Sequence, residues 1–169
     1  MKKLICLLLA LFLISFGKDS SEEFKSLDEE ALSQKIIELQ NNKEIERVIT
    51  GMNVFVDKFP KSERTADYLK GLAVLYVSNK KDFNQAITLY KKIINKYPES
   101  NVAPDAYFAL GFIYSNDLKD YNNAKLYYTE FINKFPEHEA VESAKFELQY
   151  LGKSEEEVLD FLQSKLSDN

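Results

Sequence analysis

The chain has 169 residues, of which 45% are hydrophobic and 29% charged, with 5 Gly, 4 Pro and a net charge of −5. That balance excludes a wholly disordered chain, and the scarcity of Gly and Pro argues against an all-β architecture with its many turns. With an acidic net charge and Lys and Arg spread along the chain, affinity for a phosphate backbone, and so a nucleic-acid partner, is not expected.

The amino-terminal residues read as an address. Met1-Lys2-Lys3 is a short basic start, and Leu4 to Phe16 is an almost unbroken apolar run of 13 residues. A permanent anchor needs roughly 20 such residues, whereas this length suits a secretory leader. Ser15-Phe16-Gly17 supplies small residues at the cleavage-specifying positions, so residues 1–17 are expected to be removed after Gly17. The alternative is retention as an anchor that holds the protein at the outer side of a membrane. Cys6 is the single cysteine and lies inside the apolar run, so the mature chain would have no disulfide, thiol or lipidation site. Loss of Lys2 and Lys3 would move the net charge from −5 to −7. Export to the periplasm of a bacterium is the expected localisation. Residues 18–25, KDSSEEFK, lack periodicity and read as a polar tether.

A 38-residue period governs the rest: Lys58-Phe59-Pro60 recurs as Lys96-Tyr97-Pro98 and Lys134-Phe135-Pro136. Asp82-Phe83-Asn84-Gln85-Ala86 recurs as Asp120-Tyr121-Asn122-Asn123-Ala124, and Leu72-Ala73-x-x-Tyr76 as Leu110-Gly111-x-x-Tyr114, with the same offset. Each unit reads as two helices. Ala106, Tyr107, Leu110, Gly111 and Tyr114 form one amphipathic stripe, and Ala124, Tyr127, Tyr128, Phe131 and Ile132 the next. Asp120 is placed to cap the second helix and Pro136 to end it. Ala73 and Gly111, facing Ala86 and Ala124, mark close helix crossings. In the first unit Ser26-Leu27-Asp28-Glu29 reads as a capping box for a helix reaching about Asn41, and Ile45, Val48, Ile49, Met52, Phe55 and Phe59 stripe the next helix. Ser33 and Lys35 are both candidates for its close-contact position. Ser154-Glu155-Glu156-Glu157 is a second capping box, opening a final helix that would close the array. The expected units are about 26–60, 64–98, 102–136 and 139–166.

The pattern Leu-[Ala/Gly]-x-x-Tyr, then Ala, an aromatic four residues on, and Pro twelve after that Ala, resembles the tetratricopeptide repeat. Tyr107, Leu110, Gly111, Tyr114, Ala124, Tyr128 and Pro136 carry it in the third unit, and Leu69, Leu72, Ala73, Tyr76, Ala86, Tyr90 and Pro98 in the second. The aromatic-Pro-x-Ser ending is similar to the repeats of the bacterial outer-membrane assembly lipoprotein and of the periplasmic repeat protein of the Tol-Pal system. The resemblance implies an all-α, right-handed α-solenoid of about four helix-turn-helix repeats, about eight helices over residues 26–166.

The residues hold little catalytic chemistry. His138 is the only histidine, and a metal site needs several clustered ligands. Phosphate loops and hydrolase signatures are absent, and the acidic runs at 28–30 and 155–157 suit helix N-termini. No cofactor, metal or enzymatic activity is expected. The resemblance places Lys70, Phe108 and Phe146 in one column of a concave groove and Val74, Phe112 and Tyr150 in a second, flanked by Asp67 and Asp105. The opposing reading buries Phe108, Phe112 and Phe146 in the core. An apolar groove edged by polar groups would take a partner helix or extended peptide, making the chain an interaction scaffold in envelope or outer-membrane assembly. The competing reading is a small-molecule or glycan-binding periplasmic module.

Overall fold

A computed structural model describes residues 21–167. The expected leader and the start of the tether lie outside them. Every regular element among the described residues is helical. The chain divides into two compact units, with the boundary between Tyr68 and Leu69.

The first unit contains α1 (Glu22–Lys25), α2 (Glu29–Asn41), α3 (Ile45–Lys58) and the start of α4 (Thr65–Leu75). The stretch read as a tether is therefore helical from Glu22. Its aromatic residue explains the difference: Phe24 is completely buried, α1 packs on α3, and Arg47 lies over the Phe24 ring while its guanidinium donates to both Glu23 oxygens at 2.8 and 3.0 Å. Lys58 closes the end of this packing by donating to the Lys25 and Leu27 carbonyls. The cap of α2 is Asp28, whose carboxylate accepts from the Ala31 N–H at 2.9 Å. Ser26, two residues earlier, instead donates to the Glu23 carbonyl. Leu32, Ser33 and Ile36 are buried and Lys35 is half-buried, so Ser33 faces the packed side. The closest approach uses a glycine of the second helix: a Cβ on Gly51 would lie 3.0 Å from Ile36 Cγ1.

The second unit continues α4 and adds α5 (Phe83–Lys96), α6 (Ala103–Phe112), α7 (Tyr121–Lys134), α8 (Val141–Gln149) and α9 (Glu155–Ser167). Two π-helical turns, Tyr76–Lys80 and Ile113–Asp117, extend α4 and α6. Nine α-helices are present among the described residues, one more than expected because of α1. The 38-residue period is physical. Helices α3, α5 and α7 each have 14 residues and begin at Ile45, Phe83 and Tyr121. The residue two before each start, Lys43, Lys81 or Lys119, is left-handed, with φ of 60°, 54° and 54°. Asp82 and Asp120 cap α5 and α7 by accepting from the Gln85 and Asn123 N–H groups. At the far ends Phe59, Tyr97 and Phe135 each donate a last backbone bond to the residue four before. Pro60, Pro98 and Pro136 follow and cannot continue the helix.

The crossing expected between small residues is more specific than the sequence indicates. Ala73, Ala86 and Ala124 are fully buried. Gly111 meets the ring of Tyr128, since a Cβ there would lie 2.7 Å from two ring carbons. Ser154 and Glu157 bond reciprocally at the start of α9, the second capping box.

Candidate functional site

In the second unit, the end of α4 with its π turn, helix α5, and α6 with its π turn enclose an open apolar cleft of about 310 Å³. Val74, Val77, Ser78, Tyr90, Phe108, Ala109, Phe112 and Ile113 line it. The local sequence explains its walls. Leu72, Ala73, Leu110 and Gly111 occupy the buried stripe of their helices, so Val74 and Phe112, one or two positions on, point away from that stripe. Each remains 46% exposed, far more than a core residue. The π turns then carry Val77, Ser78 and Ile113 to the same cleft; π turns inserted in α-helices recur at functional sites.

Three of the expected groove residues, Val74, Phe108 and Phe112, thus come together. Phe108 is half-buried, with its ring edge-on to Tyr128 at 5.5 Å and to Phe131 at 5.7 Å. It serves as both wall and core. Lys70 and Asp105, one turn before Val74 and Phe108/Ala109 in their helices, form an ion pair. The other Asp105 oxygen lies 3.9 Å from His138 Nε2. His138 is also held by its Nδ1, which accepts from the Ala140 N–H at 3.2 Å, and by an edge contact with Phe131. The single histidine is thereby a local organiser of the loop before α8.

Phe146 and Tyr150 do not line the cleft. Their rings meet each other at 4.5 Å, and Tyr150 meets Phe161 of α9 at 5.6 Å, with Lys153 above both Tyr150 and Phe161. Helix α8 stops at Gln149 without the π turn that extends α4 and α6, and Gly152 turns the chain at φ 79°. Asp67 belongs to the first unit, where it is exposed in the first turn of α4.

The sequence reading missed Val77, Ser78, Tyr90, Ala109 and Ile113. Tyr90 falls on the apolar stripe of α5 and reads as core, which it nearly is at 5% exposure. Burial, and then the Asp105 charge, push its phenol up to about 12. A second tyrosine group joins the π turn after α6 to α7. Tyr114 and Tyr127 stack with rings parallel at 5.6 Å, and Lys91 donates to the Tyr114 hydroxyl.

Among the described residues, no group of three or more His, Cys, Asp or Glu side chains is placed to hold a metal ion. None of the described helices is long and apolar enough to cross a membrane.

A family model of the tetratricopeptide repeat matches residues 71–100 and 105–138. Every residue that lines the cleft falls within these two stretches. No curated protein matches the chain.

Proposed function

We propose that the two tetratricopeptide repeats at 71–100 and 105–138 make this chain a non-enzymatic scaffold, which holds a segment of a partner protein in the cleft of the second unit. Such repeats generally mediate protein–protein association. The observation that carries the reading is the cleft itself. Val74 and Phe112 stay nearly half exposed in helices whose neighbouring positions are fully packed. Apolar groups gathered in a depression are a common form of partner site. A glycan or polar small-molecule site needs several converging polar groups, and the walls of this cleft are almost wholly apolar.

The amino-terminal apolar run supports a further part of the proposal, that the scaffold works outside the cytoplasm, in the bacterial envelope. Envelope or outer-membrane assembly is the process proposed, on the likeness of the repeat endings noted above. Association with the membrane surface follows if the leader is kept.

Photo-crosslinking in the native host tests the scaffold. With p-benzoylphenylalanine in place of Phe112, one discrete protein adduct is expected. In place of Leu126, which is 51% exposed on α7 and outside the cleft, none is expected. Equal adducts from both positions, or none from Phe112, would refute the cleft as the partner site.

A further inference from the structure

The cleft has a chemical asymmetry. Val74, Val77, Phe108, Ala109, Phe112 and Ile113 offer only carbon to an occupant. Two hydroxyls are also present. That of Ser78 is engaged within its own turn by the Val74 carbonyl at 2.8 Å and the Asn79 side chain at 2.7 Å. That of Tyr90 has no hydrogen-bond partner among the described residues, although the side chain is 95% buried. The hydroxyl is not among the fully buried unpaired atoms, so it keeps contact with solvent, and an occupant that displaces that solvent must supply an acceptor in its place.

Building on the scaffold reading, we propose that the cleft takes one large uncharged apolar side chain of the partner, while the Tyr90 hydroxyl donates to a main-chain carbonyl beside it. Three features select this occupant. The first is size: about 310 Å³ lies at the small end of ligand pockets, enough for a single bulky side chain. The second is charge. Asp105 is already neutralised by Lys70 and approached by His138, so that end of the cleft offers no uncompensated charge for an ionised anchor. The third is the kind of acceptor: every residue of a peptide carries a carbonyl next to its side chain, so any apolar anchor brings one with it. The phenol, raised to about 12, stays protonated and able to donate at every physiological pH.

The test uses the full ¹⁵N-labelled chain and three defined probes. N-acetyl-L-phenylalanine methylamide has the side chain and the carbonyl. N-acetyl-L-glutamate methylamide has the carbonyl with a charged side chain. Toluene has the ring alone. Millimolar capped phenylalanine is expected to shift the amides of Val77, Ala109 and Ile113, and capped glutamate to leave them in place. Tyr90→Phe is expected to weaken capped phenylalanine about fivefold, the effect of one hydrogen bond, and to leave toluene unchanged. Phe112→Ser, at an exposed position that leaves the core intact, should weaken both ring-bearing probes. Three outcomes overturn the proposal: no shift with capped phenylalanine, equal affinity for toluene and capped phenylalanine, or Tyr90→Phe without effect. Failure here with a Phe112 adduct in the crosslinking experiment removes only the anchor. Success here without an adduct removes the scaffold reading and leaves an apolar-anchor site.

Discussion

Gly51 and Gly111 are both buried in helices, yet a methyl group added to each meets a different obstacle. At Gly111 it would lie 2.7 Å from two ring carbons of Tyr128, a fully buried side chain packed edge-on to Phe108. Replacing Gly by Ala favours a helix by about 1 kcal/mol, but forcing a packed ring aside costs about 1–3 kcal/mol. Gly111→Ala is therefore expected to destabilise the protein in urea unfolding. At Gly51 the nearest atom is Ile36 Cγ1 at 3.0 Å, on a side chain with rotatable bonds. Gly51→Ala is expected to come within about 1 kcal/mol of neutral as the two effects offset each other. Equal losses at both sites would contradict this account. Glu147 gives a second prediction at the same scale. Its partial burial pushes its carboxyl above the ordinary 4.5. The folded state thus binds that proton more tightly than the unfolded chain, and this contribution is present at low pH and lost as pH rises through the folded-state value. Glu147→Gln should raise the melting temperature at pH 7 and give no such gain below pH 4.5. An equal gain at both pH values would show that the charge is not the cause.

At the scale of the element, α5 and α7 begin alike. Asp82 and Asp120 each accept from the backbone N–H three residues on, and a left-handed lysine precedes each by one position. Asp82→Ala should cost about 1 kcal/mol, measured by thermal unfolding, and Asp82→Asn should recover most of it, since Asn caps as well as Asp. Asp120 has an extra donor, the Asn123 side chain at 2.6 Å. These donors hold its carboxyl below the ordinary 3.8. Its charged cap therefore contributes in full above that value and is lost as pH falls through the lower, folded-state value. The stability difference between wild type and Asp120→Asn should shrink as pH drops below about 4. A difference that is flat from pH 7 to 2 would rule out the charged cap.

At the scale of the whole molecule, the decisive prediction concerns the first residues. If the leader is removed, the mature chain begins at Lys18 and carries a net charge of −7 in place of −5. Intact mass of protein recovered from the host envelope fraction checks this directly. A mass that starts at Lys18 supports a released scaffold in the periplasm. A mass that retains residues 1–17 makes the apolar run an anchor and moves the partner search to membrane complexes. The described part of the chain bears on what remains after cleavage. Phe24 is fully buried seven residues beyond Gly17, so a mature chain starting at Lys18 keeps α1 and its packing on α3 intact.

The sequence by itself determined the helical class, the 38-residue period, the Asp82 and Asp120 caps and the Pro-marked ends of α3, α5 and α7. These are local: an amphipathic stripe, a side chain reaching three residues along, or a ring that blocks the next turn each act within a few residues. The same locality made Val74 and Phe112 legible as positions that face away from the core, since each sits beside a packed stripe. Only the tertiary structure decided which of the candidates meet. The π turns Tyr76–Lys80 and Ile113–Asp117 leave no mark in the pattern, because one widened turn costs no cap, Gly or Pro, yet they bring Val77 and Ile113 to the cleft. Tyr90 reads as core from its stripe; its place in the cleft wall depends on where α5 lies against the other two walls. Phe146 and Tyr150 meet each other and Phe161 and do not line the cleft, a set of partners that no local pattern states. The Lys70–Asp105 pair joins residues 35 positions apart, beyond anything a local rule can reach.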